Sequence, residues 1–339
     1  MSKKMISKEK ISTHSPFQPL QSVVIGETVT DNFFDWIKQD KIKKPLQRII
    51  EETNEDLQNL EKICKQFGAR VFRPLKSKCH FVEDNITVSA PSLQVRDFYL
   101  TLGNKCYYNG ACPTDILENI VQSENFLQEY NKHNRIIPMF NGVSGANCYK
   151  LGSRIIIPHS PDTELQNFVK KMFEQLGYEV VITKEPGHTD GCMSVLKPGV
   201  ILSITNFLNY NDTFPGWDVL YLKDESWNKI SKWTDFKNSS KGRWWVPGEE
   251  DNEYLINFVN TWLNDWVGYI SETVFDVNVL SLSEEYVILQ NYNKEVFDYL
   301  KKHKIEPIIC PLRHRYFWDG GLHCVSLDLQ RKGEKENYF

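Results

Sequence analysis

Helical periodicity followed by a short apolar segment recurs along the chain. Three segments have apolar residues at helical spacing, namely 51–67, 164–176 and 293–303. Gly68 and Gly177 follow the first two segments, and glycine commonly ends a helix. A short apolar segment comes after each of the three, at 69–73, 178–182 and 305–310. The pattern therefore predicts three helices, each leading into a strand.

A second set of short apolar segments predicts five more strands. Each is rich in β-branched or large apolar residues, and they lie at 22–26, 98–103, 154–157, 200–203 and 286–289. Similar units spaced along one chain favour a closed repeat architecture over an open sheet. A doubly wound nucleotide-binding fold is the alternative, but the chain has no Gly-x-Gly-x-x-Gly after a strand and no P-loop.

Three stretches depart from this pattern. Residues 1–13 are predicted to be a mobile N-terminal tail. The lysines of the first ten residues precede no apolar segment, so these residues are not predicted to be a secretory signal. Residues 334–339 are predicted to be a C-terminal tail. Residues 210–269 hold seven of the nine tryptophans, and we predict an insertion there. Its aromatic residues could line a lid or an acceptor-binding wall, but packing into the core is at least as strong an interpretation.

Composition excludes several classes of protein. The 339 residues are 41% hydrophobic and 25% charged, with a formal charge of −4, which is typical of a soluble globular protein. This balance indicates neither nucleic acid nor a membrane surface as a partner, and no apolar run approaches the ~20 residues of a membrane span. The eight cysteines have no Cys-x-x-Cys spacing, so we predict no metal. Reduced thiols in the cytoplasm are expected. A homodimer is compatible with the sequence, but only because homodimers are the commonest oligomers in general.

Cys324 is the first candidate for chemistry. It follows Gly320 and Gly321, which allow a tight turn, and it adjoins His323 before an apolar strand-like run. The simplest interpretation is a buried thiol, since free cysteine is among the most buried residue types. The alternative is a nucleophile, which requires a partner histidine and charged ligands for a substrate.

Other residues could supply those partners. His188 lies between glycines, and Asp190, two positions on, would point to the same face of an extended segment. Asp97 opens the predicted strand 98–103. A guanidinium group is planar and cationic, and carboxylates recognise it through paired hydrogen bonds. A thiolate can attack its central carbon if a histidine protonates the departing amine.

These residues resemble a known family, the guanidino-group-modifying enzymes of the pentein fold, and most of all its arginine:glycine-type amidinotransferases. The likeness runs from residue 19 to 333, and its motifs are 19–26, 95–104, 188–190, 198–203, 278–280 and 320–333. The last of these motifs is the most specific. The resemblance implies an α/β fold, namely a five-bladed α/β-propeller of ββαβ units formed by a single domain over residues 14–333.

The resemblance also implies an enzyme, an amidinotransferase that needs no cofactor. Cys324 would attack L-arginine held by Asp97 and Asp190, and His188 would protonate the departing ornithine. The resulting amidino-cysteine would pass its amidino group to an amine acceptor, for which glycine, lysine, an amino sugar or a polyamine would each fit. Residues 81–84 also resemble a stretch of the dimethylarginine hydrolases, which makes Asp84 the alternative to Asp97.

The chain departs from the family at one place. Where the family has a carboxylate that orients the histidine, this chain has Ser144 and Asn147, which are both neutral. Either the enzyme is slower, or Glu185 or Asp276 supplies the carboxylate, or the protein binds guanidines without turnover. A hydrolase or deiminase of the same fold is the further alternative, because water instead of an amine would then resolve the intermediate.

Overall fold

The computed structural model describes residues 9–76, 80–82, 85–87, 90–108, 143–184, 187–204, 208–222, 244–267 and 276–339. Its helices are α1 (Asp40–Gln66), α2 (Val95–Phe98), α3 (Thr163–Gln175), α4 (Thr189–Cys192), α5 (Tyr210–Thr213), α6 (Glu253–Trp262), α7 (Lys294–Lys302) and α8 (Arg315–Trp318). Its strands are β1 (Leu20–Ile25), β2 (Arg70–Phe72), β3 (His80–Val82), β4 (Asn85–Thr87), β5 (Tyr99–Leu102), β6 (Lys105–Tyr108), β7 (Tyr149–Leu151), β8 (Arg154–Ile157), β9 (Glu179–Ile182), β10 (Met193–Lys197), β11 (Val200–Ser203), β12 (Asp218–Tyr221), β13 (Leu280–Ser281), β14 (Tyr286–Leu289), β15 (Glu306–Ile309) and β16 (Ser326–Arg331).

The same small sheet is repeated along the chain. Four three-stranded sheets have the strand orders β16-β1-β2, β7-β8-β9, β10-β11-β12 and β13-β14-β15. In each, the middle strand is antiparallel to the first and parallel to the last. A helix separates the middle strand from the last in every case, because a parallel pair requires a crossover connection. The pairs β3-β4 and β5-β6 complete the described strands.

The α/β class and the ββαβ order are therefore as predicted. No sheet in the described ranges is closed or parallel throughout, so the doubly wound alternative is wrong for this part of the chain. An arrangement of five such units around a central channel stays a prediction.

Each of the predicted helices and strands coincides with an element of the structure. Strands β8, β11 and β14 have the predicted bounds. Helix α1 begins at Asp40 instead of residue 51, because Leu46, Ile49 and Ile50 extend its buried stripe despite Pro45. Its apolar face packs into the largest core cluster together with side chains of β1.

Both predicted tails contain packed residues. Ser12 donates a backbone hydrogen bond to Leu329 and Thr13 donates one to Gly103, so the part of residues 1–13 from residue 9 onward lies against the domain. In residues 334–339, the ring of Phe339 stacks on Trp217 with centroids 5.3 Å apart. These aromatic and backbone contacts fix segments that composition alone indicated as tails.

The tryptophan-rich stretch 210–269 is not wholly an insertion. Strand β12 pairs with β11 and so completes a repeated sheet. Trp244 and Trp266 are buried, whereas Trp262 is exposed. Core packing is therefore the observed role of the two buried rings, and residues 223–243 lie outside the described ranges. None of the described helices combines the length and the apolar character that crossing a membrane requires.

Candidate active site

Cys324 lies in a tight turn between Gly321 and β16. The turn is closed by hydrogen bonds from Val325 N to Gly321 O (3.1 Å) and from Ser326 N to His323 O (3.2 Å). A β-carbon on Gly321 would lie 2.4 Å from Asn278 Oδ1, so only glycine allows this close approach. The turn places the Cys324 side chain in a buried position.

Asn278 joins this turn to the rest of the site. Its Oδ1 accepts hydrogen bonds from the backbone N–H groups of His323 (2.9 Å) and Cys324 (3.2 Å). Its Nδ2 donates to Cys324 Sγ (3.1 Å) and to the backbone oxygen of Asp190 (3.2 Å). The Asn278 side chain is itself fully buried.

Asp190 provides a carboxylate next to the thiol. It lies in the single turn of α4, so the expectation of an extended segment from His188 to Asp190 was wrong. Asp190 Oδ2 nevertheless lies 3.7 Å from Cys324 Sγ, because the helical turn is held by a hydrogen bond from Asp190 N to Ala146 O (3.1 Å). Its Oδ1 is buried and has no hydrogen-bond partner among the described residues.

Asp97 provides a second carboxylate. It lies in the single turn of α2, directly before β5, and its Oδ1 is also buried without a partner in the described part of the chain. Burial raises the pKa of Asp97 to about 6, with His188 opposing the rise and Asp190 adding to it. The charges of His188 and Asp190 thus act directly on this carboxylate.

The two carboxylates disfavour a thiolate at Cys324. Burial raises the pKa of the Cys324 thiol well above its usual value, and the negative charges of Asp190 and Asp97 raise it further. Two buried carboxylate oxygens without donors indicate a site for a cation that carries N–H groups. Such a cation would satisfy both oxygens and would favour the thiolate.

His323 also contacts the Asp190 carboxylate. Its Nδ1 lies 2.7 Å from Asp190 Oδ2, and Nδ1 must carry the proton because a carboxylate only accepts. Burial lowers the pKa of His323 to about 4, and the charge of Arg96 contributes, so the imidazole is neutral at physiological pH. A neutral donor orients Asp190 without cancelling its charge.

A buried network of charges supports the Cys324 turn. Asp328 binds Arg96 (2.9 Å), Lys150 (2.9 Å) and Arg331 (3.0 Å), and all four side chains are buried. Burial alone would raise the pKa of Asp328, but these three cations hold it well below its usual range. Arg96 Nε also donates to the backbone oxygen of His323 (2.8 Å), which ties the network to the turn.

Ser144 and Asn147 form a neutral turn beside the His188 loop. Ser144 Oγ donates to Asn147 Oδ1 (2.6 Å) and accepts from the N–H groups of Ala146 (3.2 Å) and Asn147 (3.3 Å). Asn147 Nδ2 donates to Gly187 O (3.3 Å). The single proton of the Ser144 hydroxyl is therefore used within its own turn and is not directed to an imidazole.

The remaining candidates for a carboxylate differ in position. Asp276 accepts a hydrogen bond from Asn293 Nδ2 (3.1 Å) at the start of α7. Asp84 and Glu185 lie outside the described residues. No group of three or more His, Cys, Asp or Glu side chains within the described ranges could hold a metal ion.

Comparisons with known proteins find amidinotransferases among the similar sequences and structures. No protein-family model matches the chain. Over 71 residues, which are 21% of this chain and 20% of the relative, it is 29% identical to the L-arginine:L-lysine amidinotransferase of Pseudomonas savastanoi pv. phaseolicola. Over 154 residues, which are 45% of this chain and 29% of the relative, it is 24% identical to the mitochondrial glycine amidinotransferase of Xenopus laevis. The chain thus spans less than a third of the length of either relative.

A solved structure matches nearly the whole chain. It is the inosamine-phosphate amidinotransferase StrB1 from Streptomyces griseus, with a TM-score of 0.63 and 18% identity over 98% of this chain and 99% of that chain. The chain therefore shares the fold of this amidinotransferase. The superfamily resemblance is thereby confirmed, with amidinotransferases among the matching proteins.

Sequence reasoning missed Asn278 as a site residue. Asn278 appeared only as the first residue of a core-strand motif, and an asparagine before two apolar residues carries no catalytic signal of its own. Its partner Cys324 is 46 positions away in the sequence. The close approach of Gly321 to its side chain became visible only in the fold.

Proposed function

We propose that the protein is an amidinotransferase, moving an amidino group from a guanidino donor to an amine. The surroundings of the Cys324 thiol carry this proposal. The thiol lies beside the Asp190 carboxylate, and the negative charge of Asp97 also acts on it. Each of the two carboxylates has a buried oxygen without a hydrogen-bond partner among the described residues. A guanidinium ion has N–H groups on several sides and a carbon that a thiolate can attack. The amidinotransferase relatives and the fold support this choice.

L-Arginine is the donor that we propose. Asp97 and Asp190 accept hydrogen bonds from its guanidinium, and the bound cation favours loss of the Cys324 proton to His188. The sulfur then attacks the guanidinium carbon and forms a carbon–sulfur bond. The bond from that carbon to the side-chain nitrogen breaks, and His188 returns the proton to this nitrogen. The products of this half-reaction are ornithine and a cationic amidino-cysteine.

A primary amine completes the transfer. The neutral amine attacks the same carbon and loses a proton to His188. The carbon–sulfur bond breaks, the amidino group leaves on the acceptor, and His188 returns the proton to Cys324. The names of the similar amidinotransferases contain lysine, glycine and an inosamine phosphate, which share an amino group and differ in size. We therefore propose a primary amine as the acceptor class.

A guanidine-binding protein without turnover is the second candidate function. One observation favours it: the turn beside the His188 loop has the neutral Ser144 and Asn147, and the Ser144 proton is committed to Asn147. A carboxylate would stabilise an imidazolium at His188 more strongly than these neutral groups do. Under this alternative the site binds arginine but no amidino-cysteine forms.

Isotope-labelled arginine with a panel of amines distinguishes the candidates. We expect ornithine and one labelled, amidinated amine by mass spectrometry, together with a labelled Cys324 peptide when the acceptor is omitted. Cys324→Ala should abolish both signals. Cys310 is also a buried cysteine, but it accepts a hydrogen bond from Asn59 (3.6 Å) and takes no part in the proposed mechanism. Cys310→Ala should therefore leave both signals unchanged. Arginine binding without a labelled peptide would instead support the binding protein. Citrulline, or urea with ornithine, would support a hydrolase or deiminase.

A further inference from the structure

The four hydrogen-bonding positions of the Asn278 amide are all occupied. Two backbone N–H groups, those of His323 and Cys324, can only donate, so the atom that faces them must be Oδ1. The amide nitrogen consequently faces Cys324 Sγ at 3.1 Å and the backbone oxygen of Asp190 at 3.2 Å. A flipped amide would lose the three bonds to backbone groups, so the contacts fix the orientation.

The surrounding chain holds this amide in place. Gly321 approaches so closely that a β-carbon there would collide with Asn278 Oδ1, Cβ and Cγ. The side chain is fully buried and lies just before β13, where Val279 N donates to Val277 O (3.0 Å). An N–H donor fixed before the reaction needs no rearrangement when charge develops on its acceptor.

The charges around Cys324 Sγ are mainly negative, and the Asn278 N–H group offsets them. Asp190 on α4 and Asp97 on α2 both face the thiol with negative charge, and His323, which contacts Asp190, is a neutral donor. Asn278 Nδ2 is a side-chain N–H group that donates to Cys324 Sγ (3.1 Å). It therefore opposes the two carboxylates whenever the sulfur is a thiolate.

We propose that Asn278 is a further catalytic residue, whose side-chain amide donates to the Cys324 thiolate before attack and again when the sulfur leaves the amidino intermediate. This inference rests on the proposed function, in which Cys324 is the nucleophile. Because a hydrogen bond to a charged group is of the strong kind, removal of the donor should lower the thiolate fraction about tenfold to a hundredfold.

Alkylation of Cys324 tests the proposal without turnover. Iodoacetamide labelling of the Cys324 peptide is followed by mass spectrometry over a range of pH in the wild type, Asn278→Ala and Asn278→Asp. Asn278→Ala removes the donor, and Asn278→Asp keeps the shape and the acceptor but replaces the donor by a carboxylate oxygen. We expect alkylation to slow about tenfold or more in both variants, with its pH profile displaced to higher pH.

Asn293→Ala is the matched control. Asn293 is also a buried asparagine, and its Oδ1 accepts hydrogen bonds from Glu295 N (3.0 Å) and Val296 N (3.4 Å) at the start of α7. Its loss should lower the melting temperature but leave Cys324 alkylation and its pH profile unchanged. Equal rates and profiles in the wild type and the folded Asn278 variants would overturn the proposal.

Asn278→Asp keeps the shape and the acceptor of the side chain, so it is the second variant that tests the proposal if Asn278→Ala does not fold. Slower alkylation of the Asn278 variants in a protein that transfers no amidino group would support the role of Asn278 at the thiol and reject the proposed function alone.

Discussion

Asp328→Asn should be among the most destabilising single substitutions in this chain. The change keeps the size of the side chain but removes the one negative charge that three buried cations share, at 2.9, 2.9 and 3.0 Å. Breaking a buried ion pair from one side costs about 3–5 kcal/mol, because the remaining charge is left buried without compensation. Domains are stable by only about 5–15 kcal/mol, so we expect a loss of about a fifth or more of the free energy of unfolding.

Asp218→Asn provides the matched control for this prediction. Asp218 also contacts two basic side chains, Lys302 (2.6 Å) and His303 (2.8 Å), but its side chain is 39% exposed. Exposed pairs of this kind contribute about 0–1 kcal/mol. Urea denaturation followed by circular dichroism gives the free energy of unfolding of both variants. Equal losses below about 1 kcal/mol would refute the reasoning from burial.

The effect of Asp328 should also depend on pH with a defined sign. Its pKa in the folded protein lies well below the ordinary value of 3.8, so the folded state favours the carboxylate. The stabilisation is fully present above pH 3.8 and is lost as the pH falls through the folded pKa. The difference between the wild type and Asp328→Asn should therefore be constant near neutrality and shrink only in strong acid.

The remaining predictions concern the site itself. Because the pKa of Asp97 is raised to about 6, arginine binding measured by calorimetry should strengthen as the pH rises through 6 and Asp97 ionises. Asp97→Asn should remove this dependence, and an affinity of the wild type that does not change with pH would contradict the prediction. Gly321→Ala should lower the melting temperature and slow Cys324 alkylation, since its β-carbon would lie 2.4 Å from Asn278 Oδ1. Unchanged values for both would show that the turn tolerates a side chain.

Local signals and long-range contacts differ in how well the sequence predicts them. Strands β8, β11 and β14 were found from runs of β-branched residues, because such runs fit a buried sheet wherever they occur. The one-turn helices α2 and α4 were missed, because four residues are too few to show a helical period. Tertiary contacts, such as the bond from Asp190 N to Ala146 O, determine these turns instead.

The sequence likewise indicates some residues of the candidate site and gives no sign of others. Cys324, His188, Asp97 and Asp190 were identified because thiol, imidazole and carboxylate groups have recognised chemistry and because their motifs resembled a family. Lys150 was missed, since a lysine among apolar residues gives no sign that it is buried against Asp328. No local pattern indicates which distant charge will balance such a residue, and only the assembled fold reveals it.

The pairing of β16 with β1 has a consequence for synthesis on the ribosome. Val23 of β1 pairs with Asp328 of β16, so nearly the whole described chain must be translated before this sheet can form. Until then the edge of β1 is open to other strands, and pairing between such distant segments forms slowly. The turn that carries Cys324 directly precedes β16, so the Cys324 thiol is set in the candidate site only after β16 has been translated.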